Sequence, residues 1–145
     1  ARPEAKATTP ITAAFAAFRA THCQRIGVLT PYSDEVNQFI KRYIESKGFD
    51  VPVFGSFNQD DDNLVARISA ESMQDAALKI GRHDNVDGVF VSCTSLRLAH
   101  CVADIETALG KPVTSSNHAM IWHSLRLANI NDEIAGFGKL FTLPA

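Results

Sequence analysis

The chain has 145 residues, a formal net charge of −2, 46% hydrophobic and 21% charged residues, which suits one globular domain with a real core and leaves no room for two. Near-neutral charge and a sequence pI near 6.2 exclude a polybasic nucleic-acid or membrane-surface role, since both need clustered Lys and Arg. No apolar run approaches the ~20 residues that cross a bilayer, and no basic-then-apolar leader opens the chain. Three cysteines without a framework spacing read as free thiols in a reducing, cytoplasmic setting. Because it starts at Ala1 rather than Met, the chain reads as a processed or truncated piece.

Residues 1–9 are polar and aperiodic and read as a tail or linker before a single domain over 10–145. Pro10 suits a first helical turn, and Ile11, Ala14, Phe15 and Phe18 predict a helix to His22. Arg25–Thr30 reads as a buried parallel strand. Pro31-Tyr32 breaks it, and Ser33 caps a helix whose inner face is expected to carry Val36, Phe39, Ile40, Tyr43 and Ile44. Asp50–Ser56 is the second strand. An acidic loop, Asp60 to Asp62, reads as a solvated cap of a short helical turn. Ser69 caps the next helix, with Met73, Ala76, Ala77 and Ile80 inward. Val86–Ser92 is the third strand and runs into Cys93-Thr94-Ser95. A helix through Leu96, Leu98, Ala99, Val102 and Ile105 is then expected up to Gly110. Pro112–Ser115 is a fourth strand, followed by a helix over Asn117–Leu127 with Met120, Ile121, Ser124 and Leu127 at core spacing. An apolar tail closes the chain. This alternation predicts right-handed βαβ units and a three-layer, flavodoxin-like α/β domain with a four-stranded parallel sheet.

Ligands bind parallel sheets outside the carboxyl ends of the strands. That rule selects Thr30-Pro31-Tyr32, the region Ser56 to Asn63, Cys93-Thr94-Ser95 and, more weakly, Ser115-Ser116-Asn117. Cys93 carries the most information. A helix start just after it favours thiolate, and the Thr94 and Ser95 amides can hold a carboxylate or enolate oxygen. The competing reading is a buried structural Cys. Cys23, on the opposite rim, and Cys101, at core spacing, read as structural. No Cys/His spacing fits zinc, His118 and His123 do not share a helical face, and no phosphate-binding glycine loop occurs. Neither metal nor cofactor is expected.

Five stretches in order, TPITAAFAAF, RIGVLTPYSDEVN, DDNLVARIS, VFVSCTSLR and KPVTSSNHAMIWHSLRLA, carry a resemblance to the aspartate/glutamate racemase superfamily. The likeness is to its branch of maleate isomerases, arylmalonate decarboxylases and ectoine-utilisation A-type proteins, and it runs from about Thr8 to Phe141. Such proteins have two similar α/β halves, each classically with one cysteine at a strand end, and this chain is similar to the carboxyl-terminal half. The resemblance implies that Cys93 is the second catalytic cysteine, that Tyr32 binds a substrate carboxylate, that Asn63 binds substrate, and that Thr94 supplies a backbone N–H. It implies cofactor-free isomerisation, racemisation or decarboxylation of a small carboxylate. The expected partners are the missing amino-terminal half or a homo-oligomer. Thr-Ser-Leu-Arg after Cys93, where amino-acid racemases carry Thr-His, points away from amino-acid substrates. Neither Cys23 nor Cys101 stands where the first cysteine would. The alternative is a non-catalytic ligand-binding or regulatory module on the same fold. A phospho-receiver domain is disfavoured, because the strand ends carry Thr, Ser and Cys rather than an acceptor Asp.

Overall fold

A computed structural model describes residues 4–144. Four parallel strands, β1 (Arg25–Thr30), β2 (Asp50–Ser56), β3 (Gly88–Val91) and β4 (Val113–Ser115), form one sheet in the order β2-β1-β3-β4. The helices are α1 (Pro10–Ala20), α2 (Asp34–Glu45), the single turn α3 (Asp62–Val65), α4 (Ala70–Gly81), α5 (Val102–Leu109) and α6 (Ser116–Leu127). No helix among the described residues is long and apolar enough to cross a membrane.

Side-chain alternation along the strands separates the layers. Ile26 and Val28 of β1 and Phe90 of β3 face α1 and α2, where Phe15, Phe18, Ile44 and Phe49 complete the packing. Leu29, Val89, Val91 and Val113 face the other way, onto Met73, Ala77 and Ile80 of α4 and Ile105 of α5. Gly27 lets α4 approach the sheet closely, since a Cβ there would lie 2.4 Å from Ile80 Cγ2. Helix α6 lies on α1 rather than over the sheet centre, with Trp122 and Ala119 set against the small residues Ala13 and Ala17. The three layers and the four-stranded parallel sheet match the expectation from sequence.

Three local expectations need correction. The segment after Cys93 is not an α-helix from Leu96 onward. It turns irregularly through Ser95–Leu98 and passes through a 3₁₀ turn at Ala99–Cys101, and α5 starts only at Val102. Leu96 and Leu98 are both fully buried, and side chains two apart cannot share one helical face. The inner face of α2 is also narrower than its apolar stripe. Ile44 is buried and Ile40 partly so, whereas Val36, Phe39 and Tyr43 are exposed, Phe39 at 66%. The position that reaches the sheet in the first turn is polar Asn37. On α6 the buried set is Ser116, His118, Ala119, Trp122 and Arg126, while Ile121 points outward. The wide Trp122 ring fits the alanine face of α1 and so sets the rotation of the helix.

The ends of the chain are tied down as well. Thr9 caps α1 by accepting the Thr12 N–H, and Thr8 Oγ1 meets His123 Nδ1 at 2.8 Å. The residues expected to be a tail therefore join the fold from Thr8. At the other end Leu140 and Phe141 are buried, so the closing segment docks as expected.

Candidate active site

Strand β1 pairs with β2 on one side and β3 on the other, so the chain's path reverses between β1 and β3. That is the switch point at which an open parallel sheet leaves a crevice. Tyr32 follows the end of β1 and Cys93 the end of β3. The Tyr32 phenol has its pKa raised above the usual tyrosine range, chiefly by burial, then by the neighbouring Cys93 sulfur and the Asp62 carboxylate. Tyr32 packs against the core cluster that holds Cys93, so the loops after β1 and β3 meet at the switch point.

Cys93 is 6% exposed and joins the core that holds Leu96 and Val91. Its surroundings differ from the helix start expected from sequence. With α5 delayed to Val102, no macrodipole follows the sulfur. A single amide takes its place, since the Ser95 N–H donates to Cys93 Sγ at 3.4 Å. The Ser95 amide is therefore turned to the sulfur and away from a ligand oxygen. The Thr94 carbonyl accepts from Asn117 Nδ2 at 2.8 Å, and Thr94 itself is exposed. Asn63 is exposed on α3, with its backbone N–H on the capping Asp61 carboxylate at 2.8 Å.

Cross-loop hydrogen bonds tie all four candidate loops into one rim. Ser56 Oγ donates to the Tyr32 carbonyl at 2.5 Å, Ser95 Oγ donates to Asp62 Oδ1 at 2.7 Å, and Asn117 reaches the Cys93 loop. Arg97 adds a bond to the Ala66 carbonyl at 3.2 Å. The acidic run caps α3 through Asp61, as expected, but Asp62 has the further task of holding Ser95. Asn37 and Asp62 were not singled out as site residues. The signal for Asn37 was a polar residue seven before Ile44 on the sheet-facing side of α2; for Asp62 the acidic run hid the one carboxylate that bonds across to the Cys93 loop.

The other thiols are set apart. Cys23 lies at the amino-terminal edge of the sheet, its Sγ 3.4 Å from the Asp87 carbonyl. Burial pushes its thiol pKa up, and burial does the same for Cys101. Among the described residues, no group of three or more His, Cys, Asp or Glu side chains is placed to hold a metal ion.

This parallel α/β domain thus carries a thiol and a phenol on the two loops that flank its switch point. A family model described as arylmalonate decarboxylase matches residues 2–141, and the chain belongs to that family. Arylmalonate decarboxylase of Bordetella bronchiseptica is 27% identical over 136 residues, covering 92% of this chain and 57% of the relative. A maleate isomerase of Pseudomonas putida is 26% identical over 136 residues, covering 91% and 54%. A crystal structure of arylmalonate decarboxylase superposes with a TM-score of 0.83 at 27% identity, covering 92% of this chain and 60% of the other. The maleate isomerase of Pseudomonas putida S16 with maleate superposes with a TM-score of 0.87 over 92% and 54%, and at 23% identity that likeness speaks for the fold alone. The chain spans about half the length of the curated relatives it matches.

Proposed function

We propose that this domain is the carboxyl-terminal half of a cofactor-independent enzyme acting on a small carboxylate, with Cys93 as its reacting group. The observation that carries the reading is the packing of Tyr32 on the core cluster that holds Cys93, past the ends of β1 and β3, in a chain of the arylmalonate decarboxylase family. In this reading the Cys93 thiolate takes a proton from, or its thiol returns one to, the carbon beside a carboxylate. For a maleate-like substrate it adds instead to one alkene carbon, the π pair moving onto the neighbouring carbon and its carboxylate, and after rotation about the resulting single bond the pair re-forms the alkene and expels the thiolate. The charge that develops on the carboxylate is enolate-like and needs donors aimed at it. Tyr32 O–H, the Asn63 side chain and the Thr94 N–H are the donors proposed for that task. Ser95 has a different part here from the one its position suggested: its amide stabilises the sulfur and its hydroxyl anchors the loop to Asp62. Arylmalonates and maleate are the substrates to test first, since the relatives are named for them. A second half would supply the opposing wall, so weak binding and slow turnover are expected of this chain alone.

The test is iodoacetamide labelling of the three cysteines, read by peptide mass, with and without maleate or phenylmalonate. Cys93 is expected to label first and to be shielded by one of the two ligands. Burial keeps Cys23 and Cys101 protonated and slow. Three equally slow thiols, unaffected by either dicarboxylate, would overturn the catalytic reading in favour of the non-catalytic ligand-binding module.

A further inference from the structure

We propose that Asn37 is a positioning residue whose carboxamide, clamped between the Thr30 hydroxyl and the Tyr32 backbone, sets the Tyr32 phenol against Cys93; the proposal rests on the reading of that pair as the working site. Asn37 is 4% exposed and closes the first turn of α2. Asn is a poor helix former, and an unpaired carboxamide there would be costly. An apolar residue at this place would bury more simply, so its polar atoms need a reason.

Those atoms close a ring. Thr30 Oγ1 donates to Asn37 Oδ1 at 2.5 Å, Asn37 Nδ2 donates to the Tyr32 carbonyl at 2.8 Å, and the Tyr32 N–H returns to Thr30 Oγ1 at 3.2 Å. The donor count leaves one arrangement. A carbonyl only accepts, so Nδ2 must face Tyr32; the threonine oxygen receives the Tyr32 N–H, so its own proton goes to Oδ1. Both backbone polar groups of Tyr32 are thereby committed to buried side chains. Pro31 fixes the backbone just before it, and Ser56 gives the same carbonyl a second donor from β2. The Cα–Cβ direction of Tyr32 is set from behind, leaving only two side-chain torsions to packing. Thr30 and Asn37 are buried at 0% and 4%, so Asn37 acts through Tyr32.

The experiment uses the chain without any ligand. It carries two tyrosines, so a Tyr43→Phe background labelled with ¹³C at tyrosine Cζ yields one resonance, that of Tyr32. Its chemical shift at neutral pH and its alkaline titration both report the phenol's surroundings, which include Cys93 and Asp62. In Asn37→Leu and in Thr30→Val the resonance should move and the titration midpoint should fall toward the ordinary phenol value of about 10. Thr30→Ser keeps the hydroxyl and should retain the parent shift and midpoint. If the folded variants keep the parent resonance and midpoint, Asn37 only stabilises the helix start and the proposal is overturned. The same holds if Thr30→Ser behaves like Thr30→Val. Thr30→Val decides alone if Asn37→Leu does not fold. Failure of the catalytic reading is seen separately, in the cysteine-protection assay, which this measurement does not use.

Discussion

Two side chains show how much depends on single groups. Tyr32 presents a half-buried hydroxyl, and Tyr32→Phe removes a donor while leaving its ring. Under the proposed function this weakens maleate or phenylmalonate binding by about 1–3 kcal/mol in a calorimetric titration; an unchanged Kd would take the phenol out of carboxylate recognition. His118 concerns stability instead. It is fully buried between Thr114 Oγ1 at 3.0 Å and the Phe137 carbonyl at 2.7 Å. Burial lowers its pKa below 6.5, and the Phe137 carbonyl opposes this only in part. The folded chain then binds fewer protons here than the unfolded chain, so stability rises with pH through the window below 6.5 and is lost on acidification. Thermal melts across about pH 5 to 7 should show this slope, and His118→Gln should flatten it. Cys93 was legible in the sequence as a residue at a strand end. Its local electrostatics were not, because the distinction between a helix start and an irregular turn lay in two leucines that pack independently of helical periodicity.

Helix α6 and the closing segment form a unit around Arg126. Among the described residues the buried guanidinium meets no carboxylate and instead donates to four backbone carbonyls, those of Leu143 at 2.9 Å, Ile130 at 2.7 Å, Asp132 at 3.3 Å and Phe141 at 3.4 Å. Trp122 Nε1 shares the Leu143 carbonyl at 3.0 Å. Five fixed N–H groups suit Arg to this task better than Lys. Arg126→Met should therefore cost about 2–4 kcal/mol in urea unfolding and open residues 130–143 to limited proteolysis. A cost well under 1 kcal/mol would mean that water replaces the cation at those carbonyls. Sequence periodicity placed α6 correctly but gave it the wrong inward face. An arginine at a core position looks like a surface residue until the tail that it binds is in view. On α2 the stripe was genuine, yet only its Ile40 and Ile44 edge meets the sheet.

At the scale of the whole molecule, the parallel sheet and its layering followed from apolar runs and their spacing, since burial between two helical layers dictates continuous apolar strands. What spacing alone leaves open is which apolar faces stay uncovered. Val36, Phe39 and Tyr43 leave a ridge on α2, with the Phe39 and Tyr43 rings stacked 6.5 Å apart. Concentration-dependent self-association of this chain is expected through that ridge. Phe39→Asp should abolish it in light scattering while changing stability by no more than about 0.5 kcal/mol, as befits a surface position. A parent chain that stays monomeric at high concentration would contradict this.

The central pairing of β1 with β3 joins segments that lie far apart in the chain, with Val28 aligned to Phe90 and Leu29 to Val91. Contacts of that range close late, after local helices and turns. The sulfur beyond β3 consequently acquires its neighbour from β1 only when the sheet is complete. A thiol-modifying pulse given during refolding should thus find Cys93 reaching its native labelling rate only at the last stage, making the reactive atom a built-in clock for assembly.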